Sequence, residues 1–257
     1  MLVPKFVADR VEYIQKCVNE ERWDDIIPYL IPKLVNKEVV DNDDYVSMDI
    51  INNISVMLSI HMGTLNHAQY CSDLIPSFIE KSGKSKEELI KIAFKNAYTE
   101  LQPYLWDLKE AEKKAEEEIV VLPSDNREEA EKIFEESLSK VAKNKMAYYL
   151  STAQGTCGAG AVFYNGVVKR IAEFLDCNLM LVPRSIHGFV IYPIYNIDSF
   201  PSIEGVTEII KMNIEMNKEL PKEEFLDNRI LFYFKNNDKW LTDEMYVEFV
   251  KRLEQGE

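Results

Sequence analysis

Apolar residues recur at Val7, Val11, Ile14 and Val18, a spacing that predicts an amphipathic helix over residues 5–20. Trp23 to Val35 reads on as helix, broken or kinked at Pro28 and Pro32, since each proline removes a backbone donor. Residues 41–44 are a polar break. Ile54 to Met62 is rich in β-formers; Gly63 and Thr64 predict a turn, and Ala68 to Cys71 the return strand of a hairpin. Ser85 and Glu88 have the spacing of a capping box, so a helix starts there, turns Leu89, Ile92, Ala93 and Tyr98 inward and ends near Pro103.

Residues 107–118 and 126–143 predict two charged helices around a break at Pro123. The second has an apolar face at Ala130, Ile133, Phe134, Leu138 and Val141, so it packs against something. From Met146 the composition changes. Met146 to Leu150 and Ala159 to Tyr164 read as strands flanking a glycine-rich turn, and Gly166 to Leu175 as a helix. Leu179 to Val182 and Phe189 to Tyr192 read as a second strand pair. Residues 203–217 predict a helix, Arg229 to Phe234 a strand, and residues 243–254 a helix with Tyr246, Phe249, Val250 and Leu253 on one face.

Helices mixed with hairpin-linked strands point to an α+β fold: a helical N-terminal part, and a mixed or antiparallel sheet packed with helices. Three regions are expected: a helical plus hairpin region over 1–105, a charged helical connector over 106–145, and an α+β domain over 146–257.

Composition narrows the function classes. With 46% apolar and 29% charged residues, the 257-residue chain can bury a sizeable core. No apolar run is long enough to span a membrane, and Lys5, Asp9 and Arg10 stand where a signal peptide would place its apolar centre. The four cysteines, Cys17, Cys71, Cys157 and Cys177, are dispersed as reduced, buried residues of a cytoplasmic protein would be. A net charge of −14 argues against direct nucleic-acid binding, which needs a basic footprint. An acidic surface suits solubility and also suits docking on a basic partner.

Several near-motifs stop short of chemistry. Gly83, Lys84 and Ser85 end like a phosphate-binding loop, but Phe78 stands where its first glycine belongs, and the capping box accounts for the same residues. Gln154 to Gly160 resembles the nucleophile segment of papain-like cysteine proteases, yet the catalytic thiol of that pattern falls on Gly160, and Cys157 matches only the preceding cysteine. Read as a dinucleotide fingerprint, Gly155, Gly158 and Gly160 have the wrong order of spacing and lead into a predicted strand. A hydrolytic pairing of Cys157 or Ser185 with His187 is the alternative left open. It needs thiol or hydroxyl and imidazole within hydrogen-bond reach, whereas His187 reads most simply as a turn residue. His61 and His67 flank the predicted hairpin, with Cys71 as a conceivable third ligand, but two histidines alone do not complete a metal site. No metal and no cofactor is expected.

Over residues 146–234 the pattern as a whole resembles an uncharacterised family, a domain of unknown function of Gram-positive gut bacteria and their mobile elements. Its series runs "YxLTN … GAAxxxY … LPSSxHE … LLP … LSDxVYxY". The residues that carry the resemblance are Tyr148 to Thr152, Gly158 to Tyr164, Leu179 to His187, Val190 to Pro193 and Glu224 to Tyr233, with weaker echoes over 31–101. Ser151 and Thr152 replace the family's Thr-Asn, Gly188 replaces its acidic residue, and its usual N-terminal segment is expected to be missing here. The resemblance implies a mobile-element or phage accessory protein and transfers no catalytic residue. The resulting expectation is a non-catalytic protein that binds another protein, in a regulatory or counter-defence role; a hydrolase and a small-molecule sensor are the alternatives.

Overall fold

The computed structural model describes residues 4–39, 44–65, 68–114, 122–124, 126–196 and 200–255. Helix α1 (Lys5–Asn19) forms as expected, but its buried face is Val7, Ile14 and Cys17, while Val11 and Val18 are exposed. The helix is rotated so that Arg10 also points inward, where it meets Glu100.

Residues 30–36 are not helix. They form strand β1 (Leu30–Asn36), which pairs antiparallel with β3 (Ile54–Leu65). Pro32 is tolerated because β1 pairs with β3 alone, so a missing donor on the outer edge leaves no ladder bond unmade. On its other side β3 pairs with β2 (Ser47–Ile51) and then with β4 (Ala68–Asp73). The turn expected at Gly63 and Thr64 is instead a bulge, where the register slips between His61 and Gly63. Residues 66–67 and 40–43 lie outside the described residues, and with them His67 and most of the expected polar break.

A short helix α2 (Ser77–Ser82) precedes α3 (Lys86–Glu100), which opens with the expected capping box: Glu88 N–H donates to Ser85 Oγ, and Ser85 N–H to Glu88 Oε2. Then come β5 (Pro103–Asp107), α4 (Leu108–Lys114), α5 (Arg127–Lys140) and β6 (Tyr148–Thr152). The strand expected over 159–164 is a buried 3-10 turn, Gly158–Phe163. Its first amides, Gly158 and Ala159, donate to the carbonyls of His187 and Ile186, so the segment caps a hairpin end and has no strand partner. Helix α6 (Val167–Leu175) leads into β7 (Asn178–Ser185) and β8 (Gly188–Ile194). After them follow α7 (Ile203–Asn217), β9 (Leu231–Phe234), β10 (Lys239–Thr242) and α8 (Asp243–Gln255).

The second sheet has the order β10-β9-β7-β8-β6-β5, antiparallel throughout, which completes an α+β architecture. Its central strands are apolar on both faces because both are covered. Leu179, Leu181, Phe189 and Ile191 face the main core, a cluster that runs from Ile14 in α1 to Tyr233 in β9. Met180, Val182 and Phe232 face a smaller cluster with Val206 and Tyr246 of α7 and α8. These two helices cover only the β7–β9–β10 end of the outer face. At the other end Trp106, Tyr149 and Val190 have α4 alone beside them, and a trough remains. No helix among the described residues is long and apolar enough to cross a membrane.

Candidate functional site

The trough has a volume of about 340 Å³, within the range of small-molecule sites. Leu108, Ala111 and Glu112 line it from α4, Trp106, Tyr149 and Val190 from strands β5, β6 and β8, and Arg184, Ser185 and His187 from the β7–β8 hairpin end, with Leu220 also in the lining. Trp106 is fixed by its Nε1–H, 3.4 Å from the Thr152 carbonyl, and by the tilted Tyr104 ring, whose centroid lies 4.1 Å away.

Two glycines let the backbone segments at the polar end close up. A Cβ on Gly158 would lie 2.3 Å from Ser151 Oγ and 2.4 Å from the Thr152 nitrogen. One on Gly188 would lie 2.6 Å from both the Leu150 carbonyl oxygen and the Tyr149 hydroxyl. Any larger residue would push the 152–158 loop and the β7–β8 turn apart. An acidic side chain in place of Gly188 would have no space here.

That closeness brings all three residues singled out as candidate nucleophile and base into one place. Nδ1 of His187 accepts from the Cys157 backbone N–H at 3.0 Å and lies 3.2 Å from Thr156 Oγ1. An imidazole that accepts at Nδ1 carries its proton on Nε2 when neutral, and Nε2 stands 3.7 Å from Glu224 Oε2. Cys157 has φ +45°, the left-handed region, which turns its amide toward the ring. Burial pushes its thiol up, so Cys157 is held as SH rather than thiolate. The Ser185 hydroxyl accepts from the His187 N–H at 3.1 Å, within the turn. The geometry thus joins His187 to the main chain of Cys157, and Ser185 to the main chain of His187.

Arg184 and Tyr149 were not foreseen. Arg184 Nη1 contacts Met216 Sδ at 3.0 Å and has no carboxylate at ion-pair distance among the described residues. Burial pushes the Tyr149 phenol up, with the Arg184 charge opposing, so it stays a neutral donor. No hydrogen bond to that hydroxyl is made by the described residues. The one available signal was an arginine inside an otherwise apolar strand, at the same parity as Met180 and Val182.

His61 proves to be a core histidine. Its Nδ1 meets Glu100 Oε2 at 2.8 Å and its Nε2 meets Thr64 Oγ1 at 3.1 Å, while Arg10 Nη1 donates to the same Glu100 oxygen at 2.6 Å. Burial alone would raise the Glu100 carboxyl; the His61 hydrogen bond and the Arg10 guanidinium outweigh it and hold the carboxyl below the usual range. Thr64, His61 and Glu100 have the order of a hydrolytic triad, but Thr64 and His61 are 3% and 1% exposed, with no space for a substrate. Cys71 stands opposite His61 in the β3–β4 register, yet both ring nitrogens of His61 are engaged, and burial keeps the Cys71 thiol protonated. Among the described residues no group of three His, Cys, Asp or Glu could hold a metal ion.

A wider depression of about 760 Å³ lies beside α3. Its Lys91 and Lys95 are exposed, and its Arg127 is already paired with Glu131 and stacked on Tyr98. The trough therefore remains the better site. The model of the family of unknown function (DUF5688) matches residues 9–235, a span that contains every trough residue. No curated protein matches, and no solved structure does.

Proposed function

We propose that this chain, which belongs to the DUF5688 family of unknown function, is a non-catalytic binding protein whose site is the trough. The observation that carries this reading is a preformed cavity, apolar along Trp106, Leu108, Ala111 and Val190, with Tyr149, Arg184 and His187 converging at one end. A hydrolase would need a nucleophile aimed into that cavity; the thiol of Cys157 is protonated, and the hydroxyl of Ser185 serves the turn. The ligand is a small molecule with a flat apolar body. Thermal-shift titration with planar aromatic fragments tests this, since a ligand that binds only the folded state raises its melting temperature. Stabilisation in the parent, lost when Ala111→Trp fills the trough, supports the reading; no stabilisation by any fragment refutes it.

A second reading, a protein partner, rests on a different observation. Helix α7 leaves Met212, Ile214 and Met216 exposed, and Met216 touches Arg184 beside the trough. Methionine-rich surfaces adapt to partners. The accessory role in mobile elements implied by the resemblance, and a cytoplasmic location, belong with this reading. A partner whose binding survives Met212→Glu with Met216→Glu would remove it.

A further inference from the structure

Arginines in this acidic chain are paired as a rule. Arg10, Arg22, Arg127, Arg170 and Arg229 each have a carboxylate at hydrogen-bond distance. Arg184 does not, among the described residues, although it is only partly exposed and the chain carries 44 acidic residues. Its contact is instead a thioether, a weak acceptor. A partly exposed guanidinium beside an apolar cavity, with no carboxylate of its own, is open to pairing with an anion brought by a ligand. Arg252, at the exposed end of α8, also has no carboxylate at ion-pair distance among the described residues, but it lines no part of the trough.

A second polar group without a partner among the described residues lies in the same cavity. The Tyr149 hydroxyl sits against the Gly188 backbone, remains protonated at neutral pH, and makes no hydrogen bond to the described residues. A hydroxyl donor and a forked cation lining one cavity match the two oxygens of a carboxylate. The remaining lining limits the charge. Glu112 lines the trough from α4, and most of the surface is apolar, so a dianion such as a phosphate monoester meets more repulsion and a larger desolvation cost than a monoanion does.

From these observations we infer that the trough takes a small organic carboxylate, its apolar body along Trp106 and Val190 and its carboxylate on Arg184 and the Tyr149 hydroxyl. This rests on the trough being the binding site and adds the chemistry of the occupant. The compounds that test it are 3-phenylpropionate, its neutral amide and phenyl phosphate, titrated by ligand-observed NMR against the parent, Arg184→Met, Arg184→Lys and Tyr149→Phe, each first checked for a native melting curve. In the parent the carboxylate binds at least about tenfold tighter than the amide, as one charge-assisted pairing predicts, and tighter than phenyl phosphate. Arg184→Met removes most of the difference between carboxylate and amide, Arg184→Lys restores part of it, and Tyr149→Phe weakens the carboxylate more than the amide. If the amide binds as tightly as the carboxylate and Arg184→Met changes neither, the inference is overturned while the trough remains a binding site. Preference for the phosphate overturns the monoanion assignment, and failure of all three compounds to bind overturns inference and site together.

Discussion

Glu100 is the carboxylate on which α1, α3 and β3 meet, and its replacement gives a quantitative test of the fold. Its Oε2 accepts from Arg10 Nη1 at 2.6 Å and from His61 Nδ1 at 2.8 Å. Glu100→Gln keeps an acceptor but removes the charge. Hydrogen bonds to a charged group are worth about 1 kcal/mol more than neutral ones, so two of them place the cost at about 2 kcal/mol. Glu100→Ala also leaves the buried His61 nitrogen without its partner, which raises the cost to about 4 kcal/mol. Because the fold holds the Glu100 carboxyl below its usual range, the stabilisation is complete above the unfolded-state pKa and is lost as pH falls through the folded one. Asp227, whose carboxyl burial raises, works in the opposite sense, so the difference between parent and variant isolates Glu100. Urea titrations followed by tryptophan fluorescence, at neutral pH and in acid below the carboxylate range, measure that difference. It should narrow in acid. A Glu100→Gln variant as stable as the parent at neutral pH, or a gap that does not change with pH, would refute the charged-network argument.

Gly158→Ala should destabilise by about 3 kcal/mol, because the added methyl meets backbone as well as side chain, while Gly160→Ala, whose Cβ would find its nearest neighbour at 3.6 Å, should be nearly neutral in the same thermal melts. The cysteines should react slowly with iodoacetamide at neutral pH: Cys17 is fully buried, burial raises the thiols of Cys71 and Cys157, and it pushes Cys177 up to about 11. Fast, selective labelling of Cys157, followed by peptide mass mapping, would restore the thiolate hypothesis.

Local signals in the sequence carried the elements whose cause is local. The capping box at Ser85 and Glu88, the apolar face of α5 at Ala130, Phe134 and Leu138, and the β7–β8 pair all appear where their patterns place them. The α+β class follows from them. Residues 30–36 misled because a proline argues against both helix and strand, and only pairing on a single side, a tertiary fact, decides for strand. Ala159 to Phe163 misled because a short apolar run has the same composition in a buried 3-10 turn as in a strand. The site was partly legible. Cys157, Ser185 and His187 do come together, but Tyr149, Trp106 and Arg184 join them through the strand order β7-β8-β6-β5, which no spacing displays. The Glu100 network was invisible for the same reason, since its partners are 39 and 90 residues away along the chain.

The same backbone contacts that assemble the polar end also decide what it can do. Gly158 and Gly188 let the loop and the hairpin touch, and that contact aims the Cys157 amide at Nδ1 of His187. A base must accept a proton from its nucleophile, and here that lone pair is already used by the main chain. The imidazole therefore ties the loop to the turn, and the turn carries Arg184 on the residue just before Ser185. Holding the hairpin end rigid fixes a guanidinium and a phenol at one end of an apolar trough. In the binding role proposed for the trough, such preorganisation favours tight, selective capture of a ligand.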